Sequence, residues 1–150
     1  MKKLNFNANW KIKDNLSFDG ITGDARKVKL SPAQDVHLPH DYMILEKRDE
    51  NAPGGWGVGY YPTASKKYIK EFEAPQDWNG KKVVLEFEGS YCNTVVSLNG
   101  NYVGKHPFGY GNFYLDISKY LKFGEKNVLK VTVKNGMGHN ARWYSGEGLY

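Results

Sequence analysis

The side chains capable of chemistry are numerous, yet they do not form a catalytic set. Sixteen Asp and Glu residues are present. Hydrolysis of a glycosidic bond needs two carboxylates converging on one oxygen. Glu71, Glu73, Glu86 and Glu88 instead occupy polar positions of alternating runs, where their expected role is to solvate the wet face of a strand. Neither a G-x-S-x-G elbow nor a Walker loop occurs, so serine-hydrolase and P-loop chemistry have no support. His37-Leu38-Pro39-His40-Asp41-Tyr42 groups two imidazoles with a carboxylate, which are metal-ligand types. Pro39 favours extended backbone and spreads them. The expected role is therefore a corner whose side chains bond nearby backbone, and neither a metal nor a cofactor is expected. Cys92 is the sole cysteine. It excludes an intramolecular disulfide, reads as a buried structural thiol, and points to a reducing, cytoplasmic setting.

Three aromatic stretches are more informative. They are Gly54-Gly55-Trp56-Gly57-Val58-Gly59-Tyr60-Tyr61, His106-Pro107-Phe108-Gly109-Tyr110-Gly111-Asn112-Phe113-Tyr114, and Arg142-Trp143-Tyr144-Ser145-Gly146-Glu147-Gly148-Leu149-Tyr150. Flat rings cover the apolar faces of sugars, while neighbouring Asn, Asp or Arg bind the hydroxyls. Core filling or a domain interface is the competing role for each ring.

These residues need a scaffold, and the hydrophobic pattern has period two. Val83, Leu85 and Phe87 alternate with Val84, Glu86 and Glu88; Leu129, Val131 and Val133 alternate with Lys130, Thr132 and Lys134. Strands are expected at about 9–13, 35–38, 57–61, 65–74, 81–88, 93–99, 101–106, 111–116 and 127–134. Asn79-Gly80 and Asn99-Gly100 are hairpin dipeptides. Helix is confined to one turn near Asp116–Leu121, capped by Asp116 or Ser118. About nine short strands predict an all-β fold, a jelly-roll β-sandwich.

A chain of 150 residues, 40% apolar and 25% charged, is the size of one globular domain. No run approaches the roughly 20 apolar residues that cross a bilayer, and no apolar segment follows Met1-Lys2-Lys3. The net charge of +5 is spread along the chain. Neither a nucleic acid nor a membrane is an expected partner.

Leu38-Pro39-His40-Asp41-Tyr42, Gly54-Gly55-Trp56-Gly57, Phe87-Glu88-Gly89, Leu98-Asn99-Gly100, Val103-Gly104-Lys105-His106, Tyr110, Asp116-Ile117 and Arg142 to Tyr150 follow one another in a specific order. In that order they resemble the N-terminal sugar-binding domain of glycoside hydrolase family 2, which includes β-galactosidases, β-glucuronidases and β-mannosidases. The resemblance covers nearly the whole chain. It implies a galactose-binding-domain-like jelly roll, followed in the family by an immunoglobulin-like sandwich and a TIM barrel. The barrel carries both catalytic carboxylates of a retaining mechanism. The family's acid/base glutamate follows an asparagine, and no Asn-Glu pair occurs here. Residues 1–150 are accordingly expected to be one excised domain lacking its last strand, without hydrolytic activity alone.

In the family the last loop of this domain reaches the active-site mouth. The position that is acidic in β-galactosidases and β-glucuronidases matches Arg142, whose guanidinium could hold a carboxylate or a ring hydroxyl through its fork of donors. The expected substrate-binding residues are Arg142, Trp143 and Tyr144, with Tyr91 and Asn93 matching a second contact after Phe87-Glu88-Gly89. The expected function is that of a non-catalytic domain of a β-glycosidase, most readily a β-galactosidase. Its expected partners are a β-galactoside-like substrate and the immunoglobulin-like and barrel domains of the same chain. Two alternatives stand beside it. A free-standing carbohydrate-binding module would bind sugar alone. A structural sandwich would assemble into homo-oligomers through aromatic patches or an unpaired edge.

Overall fold

Alternation of buried and exposed residues sorts the chain into two faces, and the strands stack on the buried one. A computed structural model describes residues 2–15, 32–52, 55–62, 64–135 and 146–150. Among them the strands are β1 (Trp10–Asp14), β2 (Gln34–Val36), β3 (His40–Asp41), β4 (Ser65–Glu73), β5 (Val84–Phe87), β6 (Ser90–Tyr91), β7 (Thr94–Leu98), β8 (Asn101–His106), β9 (Phe113–Asp116), β10 (Lys126–Lys134) and β11 (Gly148–Leu149). A six-stranded sheet runs β2-β1-β4-β10-β7-β8, and its neighbours are all antiparallel. The opposing layer comprises β3-β11-β6 and β5-β9. Trp10, Ile12, Tyr68, Val96, Leu98, Leu129, Val131 and Val133 from the large sheet share one core with Phe87, Phe113 and Leu149 from the other layer. The fold is the expected jelly-roll β-sandwich.

β10 is the spine. It pairs with β4 over its whole length, from Lys126 opposite Glu73 to Lys134 opposite Ser65. Leu129, Val131 and Val133 are fully buried, each contributing roughly 1.5–3 kcal/mol by leaving water. The intervening side chains face out. Glu71 pairs with Lys126 at 2.6 Å, and Glu86 on β5 pairs with Lys3 at 2.7 Å. Both acids are held below the usual carboxylate range by those lysines. This is the solvated-face role expected for them.

Turn chemistry is also largely as expected. Asn99 and Gly100 both have positive φ, 52° and 84°, as a type I′ turn between β7 and β8 requires. Asn79-Gly80 makes a turn but no hairpin. Asn79 is extended and only Gly80 has positive φ, the signature of type II. It joins the 3-10 turn Gln76–Trp78 to β5. Ser118–Tyr120 is a single 3-10 turn, and Asp116 accepts the backbone N–H of Ser118 at 3.0 Å.

One expected strand is absent. Residues 57–61 do not extend; Gly55–Val58 form a 3-10 turn. Gly55, Gly59 and Tyr60 all adopt positive φ, and Tyr60 N–H donates to the Gly55 carbonyl at 2.8 Å. The glycine spacing that imitates period two lets the chain curl, leaving Trp56 exposed.

Candidate functional site

The short strand β11 is where the chemistry-bearing elements meet. Gly148 pairs with Asp41 on one side and Tyr91 on the other, and Leu149 pairs with His40 and Ser90. Gly148 is required by closeness rather than by φ. A Cβ there would collide with the His40 carbonyl and lie 2.9 Å from Asp41 Cα. Leu149 is fully buried and anchors the strand in the core.

Glu147, immediately before β11, is also fully buried. Its Oε2 accepts the Ala64 N–H at 3.2 Å, and its Oε1 accepts a short bond from Asn135 Nδ2. Tyr42 is a further hydrogen-bond partner, while its hydroxyl donates to the Ala64 carbonyl at 2.8 Å. Burial pushes the Glu147 carboxyl up to about 7; the bonds from Ala64, Tyr42 and Asn135 oppose this, and the neighbouring charge of Asp41 adds to it.

Asp41 ties β3 to the same strand. Its Oδ1 accepts the N–H groups of Met43 at 2.9 Å and Glu147 at 3.2 Å, and its Oδ2 accepts the Tyr150 hydroxyl at 2.8 Å. His40 Nδ1 lies 2.9 Å from the Tyr68 hydroxyl, and burial lowers the pKa of the imidazole. His37 is exposed. The corner therefore bonds backbone, as expected from its sequence. Asp41 and Glu147 do not resemble a hydrolytic pair. Glu147 is sealed from solvent, and the oxygens of Asp41 already receive two backbone N–H groups and a phenol.

Tyr91 and Asn93 stand beside this junction. The Tyr91 ring meets Tyr110 edge-on at 5.4 Å, and Tyr110 meets Phe108 at 5.8 Å. Gly109 makes room for the first ring, since a Cβ there would sit 2.6 Å from Tyr91 Cε2. Phe108 and Tyr110 are 61% and 47% exposed, so this cluster presents ring surface outward. Asn93 adopts φ 48° and donates its Nδ2 to the Lys134 carbonyl at 3.3 Å, fastening the β6–β7 connection to the end of β10.

Cys92, expected to be buried, is half-buried. Its Sγ lies 3.7 Å from the Lys134 carbonyl and from Asn135 Oδ1. Burial, then Glu147, pushes the thiol pKa up, which keeps it protonated. Arg142, Trp143 and Tyr144 lie outside the described residues. The residues bounding their segment are described: Asn135 on one side is hydrogen-bonded to Glu147 on the other.

Sequence reasoning assigned no role to Glu147, Asn135 or Asp41 individually. A single acid between two glycines has no periodicity to reveal its burial. Among the described residues no group of His, Cys, Asp and Glu is arranged to hold a metal.

Comparison with known proteins bears on the family and the fold. The family model "Glycosyl hydrolases family 2, sugar binding domain" matches residues 59–149. The chain is 36% identical over 149 residues to β-galactosidase BoGH2A of Bacteroides ovatus, covering 99% of this chain and 17% of that protein. It is 32% identical over 142 residues to a β-glucuronidase of Formosa agariphila, covering 92% of this chain and 14% of that one. The crystal structure of a β-glycosidase from Bacteroides vulgatus superposes with a TM-score of 0.79 at 34% identity, covering 97% of this chain and 19% of that chain. A family 2 glycosyl hydrolase from Bacteroides cellulosilyticus gives 0.80 at 30% identity, covering 97% of this chain and 19% of that chain. The chain thus spans less than a fifth of the relatives it matches. From the matched model, the relatives and the shared sandwich, the chain belongs to the sugar-binding domains of glycosyl hydrolase family 2.

Proposed function

We propose that this domain forms part of the rim of a sugar pocket whose catalytic carboxylates lie in another domain of a longer chain, and that the whole protein is a β-glycosidase, specifically a β-galactosidase. Arg142, Trp143, Tyr144, Tyr91 and Asn93 are assigned to the rim. An immunoglobulin-like sandwich and a TIM barrel are the partner domains within that chain.

The observation that supports this reading is the Asn135–Glu147 bond. It draws together the two residues that bound the segment carrying Arg142–Tyr144. It does so next to Cys92, and hence next to Tyr91 and Asn93. Tyr91 and Asn93 thus stand near the two described ends of that segment, which supports grouping the five residues in one site. The exposed rings of Phe108 and Tyr110, clustered with Tyr91, suit the apolar face of a pyranose.

The test is Arg142→Ala in the full-length protein, with p-nitrophenyl β-galactoside and β-glucuronide as substrates. A guanidinium bound to the reacting sugar predicts a fall in kcat/KM of about tenfold or more, as expected for loss of a charged hydrogen bond. A change within about twofold refutes the assignment. Faster turnover of the glucuronide refutes the galactosidase reading and leaves the rim intact.

A further inference from the structure

The face of the six-stranded sheet that points away from the core breaks a rule of sheet pairing. Like charges directly opposite each other on neighbouring strands destabilise the pair. Lys13 on β1 nevertheless sits directly opposite Lys67 on β4. Lys130 on β10 is diagonal to Lys67, because Thr132 faces Lys67 and Ile69 faces Lys130. Among the described residues none of these three lysines forms an ion pair. Partial burial and then the charges of Lys13 and Lys130 lower the Lys67 pKa below that of an ordinary lysine. Lys66, the adjacent residue on the opposite face of β4, meets Asp14 at 2.7 Å, so the sheet does supply acids elsewhere. Among the described residues this face also carries Asp35, opposite Lys11, and Glu71, already paired with Lys126.

The register places these cations in rows across the sheet. One row reads Lys13, Lys67, Thr132, Val95, Lys105. The next reads Lys11, Ile69, Lys130, Ser97, Tyr102. With strands about 4.8 Å apart, the first row extends roughly 19 Å, and the second lies about 7 Å from it. Tyr102 is 58% exposed at the end of its row. The result is an outward face with Lys13 and Lys67 on adjacent strands, Lys130 on the next strand, and Lys105 and one aromatic ring on the far strand.

We propose that this outer face docks an anionic polysaccharide, an extended chain of uronate sugars whose carboxylates sit over Lys13, Lys67, Lys130 and Lys105 while one ring lies on Tyr102. Charge complementarity selects an anion, and the spread of the cations across five strands selects an extended one. Membership of a glycoside hydrolase family selects a glycan among polyanions. The proposal rests on that membership and not on the pocket rim assigned above. A bound polyuronate supplies the counter-charge that the Lys13–Lys67 juxtaposition lacks.

The test is affinity electrophoresis of the full-length protein through gels containing polygalacturonate, neutral β-glucan or duplex DNA. Wild type is compared with the triple variant Lys13→Gln, Lys67→Gln, Lys130→Gln. A control variant, Lys47→Gln, Lys81→Gln, Lys122→Gln, loses equal charge at other positions. The expected result is retardation by polygalacturonate only. Three exposed ion pairs together carry roughly a tenfold change in affinity, which the triple variant should lose and the control should keep. Retardation should also weaken as salt rises. Equal retardation of the triple and control variants overturns the proposal, as does wild-type binding to duplex DNA as tight as to polygalacturonate. So does an absence of polygalacturonate binding by wild type. Because the three lysines are on the solvent face, the triple variant should melt no lower than wild type; an early melt accompanied by normal retardation also overturns it.

Discussion

Glu147 makes the stability of this domain depend on pH in an unusual sense. Most carboxylates in folded proteins titrate low and stabilise the fold as pH rises. Glu147 is displaced from 4.5 to about 7 because it is sealed in the core. Between these values the folded state holds a proton that the unfolded state has released. Stability therefore falls as pH rises through this window, is fully present below about 4.5, and levels off above about 7. A displacement of this size corresponds to at most about 3 kcal/mol. Glu147→Gln removes the titration. It also puts an amide where both oxygens had accepted, from Ala64 N–H and Asn135 Nδ2, so one donor loses its partner at a cost of about 1–3 kcal/mol. The expected difference curve is specific. Wild type exceeds the variant by that amount near pH 4.5, and the gap narrows by up to about 3 kcal/mol by pH 7. Urea unfolding followed by tryptophan fluorescence, at half-unit steps from pH 4 to 8, measures it. The titration of His40 occurs in both proteins and cancels in the difference. A gap constant across the window, or one that widens with pH, would show that the three hydrogen bonds keep Glu147 ionised and would refute the reasoning.

Two further substitutions probe the same architecture. Gly148→Ala should destabilise by about 3 kcal/mol or expel β11, because its methyl has no space against the His40 carbonyl and the backbone of Asp41. Loss of protection of the Leu149 amide in hydrogen exchange, with β10 still protected, would identify the second outcome. Asn127→Ala should cost about 2–4 kcal/mol, since the buried Asn127 amide holds Lys122 N–H, two carbonyls and Asn99 at the β10 entry. Unchanged thermal melting would show that water replaces that network.

Long strands were legible because their periodicity is sustained. β10 buries every second residue from Asn127 to Val133, β4 buries Tyr68 and Lys70 two apart, and the bounds of both agree with the sequence to one residue. β3, β6 and β11 have two residues each, too few for any period, and were not expected as strands. They exist because tertiary contacts hold them: Leu149 in the core, Asp41 across to Tyr150. The site shows the same division. Tyr91 and the Phe108–Tyr110 stretch were visible as aromatics beside glycine. Glu147 was invisible as a buried group, because burial of an acid is set by partners distant in sequence, Ala64 among them.

The position of β11 between β3 and β6 also has a consequence for how the protein is made. Among the described residues β3 and β6 are not neighbours in the sheet, and each pairs with β11. The Asp41–Tyr150 bond spans 109 residues of sequence. During synthesis the large sheet can assemble as β10 emerges, but this part of the opposing layer must wait for residues 148–149. Until then His40, Asp41, Ser90 and Tyr91 have unfilled backbone partners over an open core. Such late, long-range closure is slow and leaves strand edges available to other chains. A nascent chain whose β10 has left the ribosome while residues 148–149 have not would thus hold the domain in its most aggregation-prone form.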